Sequence, residues 1–181
     1  TRVEGYVDGN GSGDVSIDAG ELGNDTDLTL AGDTRMTVSD LIGDLRSDGM
    51  SGVLVVSTAD NGVDDDITIE TSSVATTVDA DHDGDEVTLE ALALADGALL
   101  SLSGDSGFVV EDLVGDLQAD AVSSEPAAEA DRKLDVTLGN VAGASSGDVS
   151  IDSDRNANID AAAASGGLGG EDVLTLSGSG D

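Results

Sequence analysis

Thr34-Arg-Met-Thr-Val-Ser-Asp-Leu-Ile-Gly-Asp-Leu45 returns further along the chain as Ser106-Gly-Phe-Val-Val-Glu-Asp-Leu-Val-Gly-Asp-Leu117. Every apolar position from residue 38 onward is kept, as is the Asp-Leu-x-Gly-Asp-Leu core, which marks a structural repeat. Upstream, Leu28-Thr-Leu-Ala-Gly-Asp33 matches Leu100-Ser-Leu-Ser-Gly-Asp105, and Leu174-Thr-Leu-Ser-Gly-Ser-Gly-Asp181 is a third version with two residues inserted. Thr1-Arg2-Val3 reads like Thr34-Arg35-Met36, so neighbouring units are expected at both ends. The repeat divides the chain into the end of a preceding unit (1–33), unit one (34–105) and unit two (106–181) with an insertion loop at 123–132 that holds the only proline, Pro126.

Short alternating apolar runs recur about every eight to twelve residues, separated by Gly, Asp, Asn and Ser, as in an all-β chain with frequent turns. Strands are expected at 15–18, 28–31, 36–39, 54–58, 67–70, 76–79, 87–92, 99–103, 108–110, 134–138, 149–152 and 173–177. With Tyr6 and Phe108 the only aromatics, the core must be built from Val, Ile, Leu, Ala and Thr. Ladders of such side chains suit stacked coils better than the wide core between two sandwich sheets. The expectation is a parallel β-helix-like β-solenoid, with tandem β-sandwiches as the alternative. The offset from Thr34 to Ser106 divides into about three coils of β-helix size or four smaller ones.

Thirty Asp and nine Glu face six basic residues, a net charge of -33. Asp favours turns and supplies short oxygen ligands, so the charge belongs to acidic turns and points to cations as partners. It argues against nucleic acid and anionic membranes, which need basic footprints. Disorder is disfavoured by 38% apolar residues set in regular runs. Without cysteine there is no disulfide, and no apolar run is long enough to span a bilayer as a helix.

One loop has metal-ligand spacing. Asp79-Ala-Asp-His-Asp-Gly-Asp-Glu-Val-Thr-Leu-Glu90 places Asp79, Asp81 and Asp83 at positions 1, 3 and 5 of an EF-hand-like calcium loop. Gly84 falls at position 6, Asp85 at 7 and Glu90 at 12. Asp152, Asp154, Asn156 and Asn158 repeat the spacing in a weaker form without the glycine or the closing Glu. Asp8-Gly-Asn-Gly-Ser-Gly-Asp-Val15 is a third, weaker version. Each also reads as an ordinary acidic turn. Enzymatic chemistry lacks its parts: His82 is the only histidine, there is no cysteine, and no phosphate-cradling Gly-x-x-x-x-Gly-Lys occurs.

The Leu-x-Leu-x-Gly and Asp-Leu-x-Gly-Asp-Leu units resemble those of the Asp-, Gly- and Thr-rich β-strand-repeat proteins of bacterial surfaces, which include calcium-dependent adhesins, RTX-like proteins, sheaths and surface layers. The strict RTX repeat is absent, Gly166-Gly-Leu-Gly-Gly-Glu-Asp-Val173 being a loose echo. The resemblance implies an extracellular, calcium-stabilised structural segment at the cell surface that assembles head to tail with copies of itself or adjacent repeats. Alternatives are a glycan- or surface-binding adhesin module and an acidic enzyme of a halophile.

Overall fold

The computed structural model describes residues 4–23, 26–59, 66–81, 86–104, 106–119, 134–138, 148–155, 157–160 and 173–179. The described residues form two parallel eight-stranded sheets and no helix. Sheet A takes the odd strands: β1 (Glu4–Gly9), β3 (Asp27–Gly32), β5 (Asp44–Met50), β7 (Ile67–Glu70), β9 (Glu86–Glu90), β11 (Gly107–Leu113), β13 (Leu134–Leu138) and β15 (Ala157–Asp160). Sheet B takes the even ones: β2 (Val15–Asp18), β4 (Met36–Leu41), β6 (Leu54–Thr58), β8 (Thr76–Asp79), β10 (Leu99–Ser103), β12 (Asp116–Ala119), β14 (Val149–Ser153) and β16 (Leu174–Ser177). Each strand pairs with the strand two places on, which makes the chain a two-sheet β-solenoid. The sandwich alternative falls, because its sheets would be antiparallel.

Alternation along each strand sends one set of side chains inward, and in-register stacking turns them into ladders. Sheet A contributes Leu28, Leu45, Ile69, Leu89, Val110, Val136 and Ile159; sheet B contributes Val15, Met36, Leu54, Thr76, Leu100, Leu117, Ile151 and Leu176. Most of the interior members of these ladders are fully buried. Medium aliphatic side chains fill this narrow core, which explains why the chain manages with two aromatic residues. Coil length varies widely. Leu100 pairs with Leu117 and Leu117 with Ile151, so the second of these coils is twice as long as the first. The extra length falls between the described strands, at 120–133 and 139–147; the predicted loop at 123–132 lies within that coil but outside the described residues.

The repeated motif has one local geometry in both copies. Its first Asp, Asp40 or Asp112, adopts a left-handed backbone with φ 56° or 54°. The pairing register slips at the same point, between Val38 and Leu41 in β4 and between Val110 and Leu113 in β11. Such a β-bulge bends the strand and returns the following Leu to the core, and Asp is among the few non-glycine residues that tolerate left-handed backbone. The motif Gly follows at the corner. A Cβ on Gly43 would overlap the Thr26 carbonyl oxygen, and one on Gly115 that of Ala98. The next residue donates its N–H to the same oxygen, Asp44 at 3.0 Å and Asp116 at 2.8 Å.

The two copies nevertheless stand in opposite sheets: β4 lies in sheet B and β11 in sheet A. The period is therefore seven strands, or three and a half coils, between the three and four expected. Equivalent hydrogen bonds confirm the offset, Ala19 N–H to Ser39 O and Ala91 N–H to Glu111 O, each at 2.8 Å. They also extend it upstream of residue 34, because β2 and β9 align at the same spacing.

Candidate cation-binding corners

The three acidic loops read from the sequence open in the same way, on strand ends that lie beneath a Leu-x-Leu-x-Gly strand. Asp8-Gly9-Asn10 leaves β1, Asp79-Ala80-Asp81 leaves β8, and Asp152-Ser153-Asp154 leaves β14. In each, the middle residue is buried and its two neighbours are exposed. The middle residue supports the next coil. A Cβ on Gly32, Gly104 or Gly178 would overlap the carbonyl oxygen of Gly9, Ala80 or Ser153, and all three glycines have positive φ, between 101° and 116°.

The outward carboxylates are bonded by hydroxyls of the overlying coil. Ser103 Oγ donates to Asp79 Oδ1 at 2.8 Å and Ser177 Oγ to Asp152 Oδ1 at 3.0 Å. Asp154 accepts from the Ser179 hydroxyl at 2.8 Å and from its backbone N–H at 2.9 Å. Those two bonds, the hydroxyl's first, hold its carboxyl below the usual carboxylate range. In the first copy the position of Ser103 is Ala31, and the corner is closed instead by Thr34 Oγ1, which donates to Gly9 O at 2.7 Å.

The remaining predicted ligands spread out. Glu90 stands at the far end of β9; a strand rising about 3.3 Å per residue carries it roughly 13 Å beyond Glu86, to the opposite edge of the solenoid. It therefore does not close a loop around Asp79 and Asp81. Asn158 lies on the outer face of sheet A beside Asp135. Asp83, Asp85 and Asn156 lie outside the described residues. Among the described residues no three carboxylate, imidazole or thiol side chains converge closely enough to hold a metal ion.

Two features of the described residues escaped the sequence reading. The first is an acidic ladder on sheet A, in which Glu70, Glu90 and Glu111 stand directly opposite one another on β7, β9 and β11. Asp48, Glu70 and Glu90 line an open groove of about 320 Å³ with Leu92 and Ala93. Partial burial, then the charges of Asp48 and Glu90, raise the Glu70 carboxyl above its ordinary value, against the pull of Arg46 and a backbone hydrogen bond at Asp48. Arg46 is itself shared with Asp27, 3.4 Å away. Strand register would have revealed the ladder, but residues 70, 90 and 111 have no common sequence spacing because the coils differ in length.

The second is Arg155, at the fourth position of the third acidic loop. Only 5% exposed, it donates through Nη1 to Ser106 O at 2.9 Å and through Nη2 to Gly104 O, with the guanidinium 4.8 Å from the Phe108 ring centre. β15, which it precedes, stands two strands from β11 in sheet A, so this side chain ties together two coils.

A raised carboxyl pKa has a definite sign. Between its unfolded value near 4.5 and its higher folded value, Glu70 binds more protons in the native state. Its favourable contribution is thus complete below the unfolded pKa and is lost as pH rises through the folded one. Glu70→Gln is expected to be more stable than wild type at pH 7 by about a few tenths of a kcal/mol after solvent screening, with the gain vanishing near pH 4. Urea titrations at the two pH values measure it; a gain that is the same at both refutes the charge origin.

No protein-family profile, curated protein or solved structure matches the chain.

Proposed function

We propose that this chain is a non-enzymatic structural repeat segment of an extracellular, calcium-stabilised filament, sheath, layer or adhesin stalk, built by stacking solenoid units head to tail. The observation that carries this reading is the state of the two end coils. Leu176 on β16 is 58% exposed, whereas its repeat equivalents Leu30 and Leu102 are 0% and 1% exposed. At the other end Val15 and Ile17 of β2 are half-buried, while their equivalents Val87 and Leu89 are 2% and 0% exposed. Elsewhere in the molecule a further coil covers these positions, and a parallel strand edge with an uncovered apolar row is a template for one more. The alternation of sheets also sets the geometry of the joint. Stacked in register, β1 of one unit would extend sheet A from β15 of the next, and β2 would extend sheet B from β16.

Calcium enters through the ladder and the corners. Like charges opposed on adjacent strands about 4.8 Å apart repel by of order 1 kcal/mol per pair even in water. Divalent ions that each bridge one adjacent pair, Glu70 with Glu90 or Glu90 with Glu111, or the two acids flanking Ala80 or Ser153, relieve that repulsion in the folded, stacked form alone and so stabilise it by mass action.

Sedimentation and electron microscopy with millimolar calcium or chelator test the reading. Wild type is expected to form longer stacks in calcium. Leu176→Asp and Ile17→Asp, each with one spoiled end, are expected to stop as monomers, and their mixture to form dimers and nothing longer, as a heterologous joint requires. Filament growth by either variant alone, or wild type that stays monomeric in calcium, overturns the assembly.

A further inference from the structure

The corner after β1 differs from its two equivalents in the charge of its outward pair. Asn10 stands where the others carry Asp81 and Asp154, and the residue after it is Gly11. We propose that Asn10–Gly11 is a self-modifying site, in which Asp33 assists loss of the Asn10 amide and the first corner acquires the second carboxylate that the other two possess from the start.

The parts are in place. Asn10 and Gly11 are exposed, so water reaches both. A Cβ at Gly11 would meet nothing within 4 Å, so the space a cyclic intermediate needs is open. Gly11 N–H donates to Asp33 Oδ1 at 3.4 Å, and the Asn10 carboxamide nitrogen donates to Asp8 Oδ1, which fixes the side chain at the corner. Thr34, next to Asp33, donates from Oγ1 to Gly9 O at 2.7 Å and to Gly11 O at 3.4 Å, which holds the base against the segment it serves.

The step balances with water alone. The Gly11 amide nitrogen gives its proton to Asp33 and attacks Cγ of Asn10. As the N–Cγ bond forms, the Cγ–Nδ2 bond breaks, and ammonia leaves with the proton returned from the carboxylate. The resulting five-membered imide adds water across one of its two C–N bonds, which leaves an aspartyl or isoaspartyl residue. Glycine is needed at the second position because any Cβ there crowds the attack. A positioned carboxylate supplies general-base assistance, and contacts of this kind are often long before the reaction and tighten during it. The product carries one more negative charge. The proposal is independent of the calcium reading, since the chemistry needs no metal.

Incubation at pH 7.4 and 37 °C, followed by peptide mass spectrometry, reads the conversion as a gain of about 1 Da at Asn10 together with an isoaspartyl signal. In the Asp33→Asn chain the rate at Asn10 is expected to fall roughly tenfold, while the other Asn-Gly pair, Asn61-Gly62, reacts as before and serves as the internal clock. Circular dichroism of Asp33→Asn checks that it is folded. Should that variant unfold, the comparison is made in wild type with and without urea, where assistance requires the folded chain to react faster at Asn10. An Asn10 that persists unmodified, an equal rate in folded Asp33→Asn, or a slower rate in the folded than in the urea-unfolded chain overturns the proposal.

Discussion

Arg155→Ala is expected to lower the unfolding free energy by about 3 kcal/mol, one of the two largest losses among the substitutions considered. Hydrogen bonds from a charged donor contribute about 1.5–3 kcal/mol, and a desolvated guanidinium over an aromatic face adds about 1–2 kcal/mol. The Ser106 carbonyl also loses a partner in a buried setting, and that of Gly104 in a half-buried one. Arg155→Lys keeps the charge but cannot donate to both carbonyls from one rigid plane or stack flat on Phe108, so it should recover less than half of the loss. Phe108→Leu combined with each variant in a double-mutant cycle separates the ring contact from the hydrogen bonds. An Arg155→Ala chain that melts with wild type would show that the bridge contributes nothing.

The bridge stands where the solenoid is least regular. From Leu117 to Ile151 the chain takes twice the length to complete a coil that it takes from Leu100 to Leu117. A solenoid is stabilised by contacts between neighbouring coils, and at this joint β12 and β14 remain paired in register across the long coil. Arg155 bypasses that joint by bonding directly to the corner before β11. The same residue gives the third acidic loop a character its Asp-x-Asp spacing hid, because its fourth position faces the core and brings its own cation.

Twelve of the sixteen described strands were legible as alternating runs, and the four that were not share a cause. β5 and β12 begin inside the Asp-Leu-x-Gly-Asp-Leu motif, whose Asp and Gly read as turn residues, and the outward positions of β5 carry Arg46 and Asp48. β1 and β15 are rich in the turn residues Gly, Asp and Asn. The repeat itself was visible in the sequence, and so was the preference for stacked coils over a wide sandwich core. That one repeat occupies seven strands was not, because sequence spacing counts residues while the solenoid counts strands, and the two diverge once coil lengths vary. The candidate acids divide in the same way. Asp79, Asp81, Asp152 and Asp154 fall on equivalent corners, where local spacing decides geometry. Glu90 falls in a ladder with Glu70 and Glu111, where only register does.

Gly104→Ala is expected to cost about 3–5 kcal/mol, because two penalties act at one atom. The residue has φ 101°, and its missing Cβ is the space occupied by the Ala80 carbonyl oxygen of the coil beneath. Left-handed or wider backbone costs an L-residue about 1–3 kcal/mol, and forcing an atom into a packed corner adds about 1–3 kcal/mol more. Gly97→Ala isolates the first penalty. Gly97 has φ 69° but nothing within 4 Å of a Cβ, so its substitution should cost about 1 kcal/mol. Position in the stack then orders the equivalent sites. Gly104 has coils on both sides, and a corner that cannot close there weakens the pairing of β10 with both β8 and β12. Gly178 sits on the last described coil, where the same overlap, against Ser153, disturbs only the pairing of β16 with β14. Gly178→Ala should therefore cost less than Gly104→Ala, and less than Gly32→Ala, whose β3 is likewise paired on both sides, with β1 and β5. Thermal melts of the four alanine variants measure the order, and a Gly178→Ala loss equal to that of Gly104→Ala would mean that the fold does not behave as a linear stack of neighbouring coils.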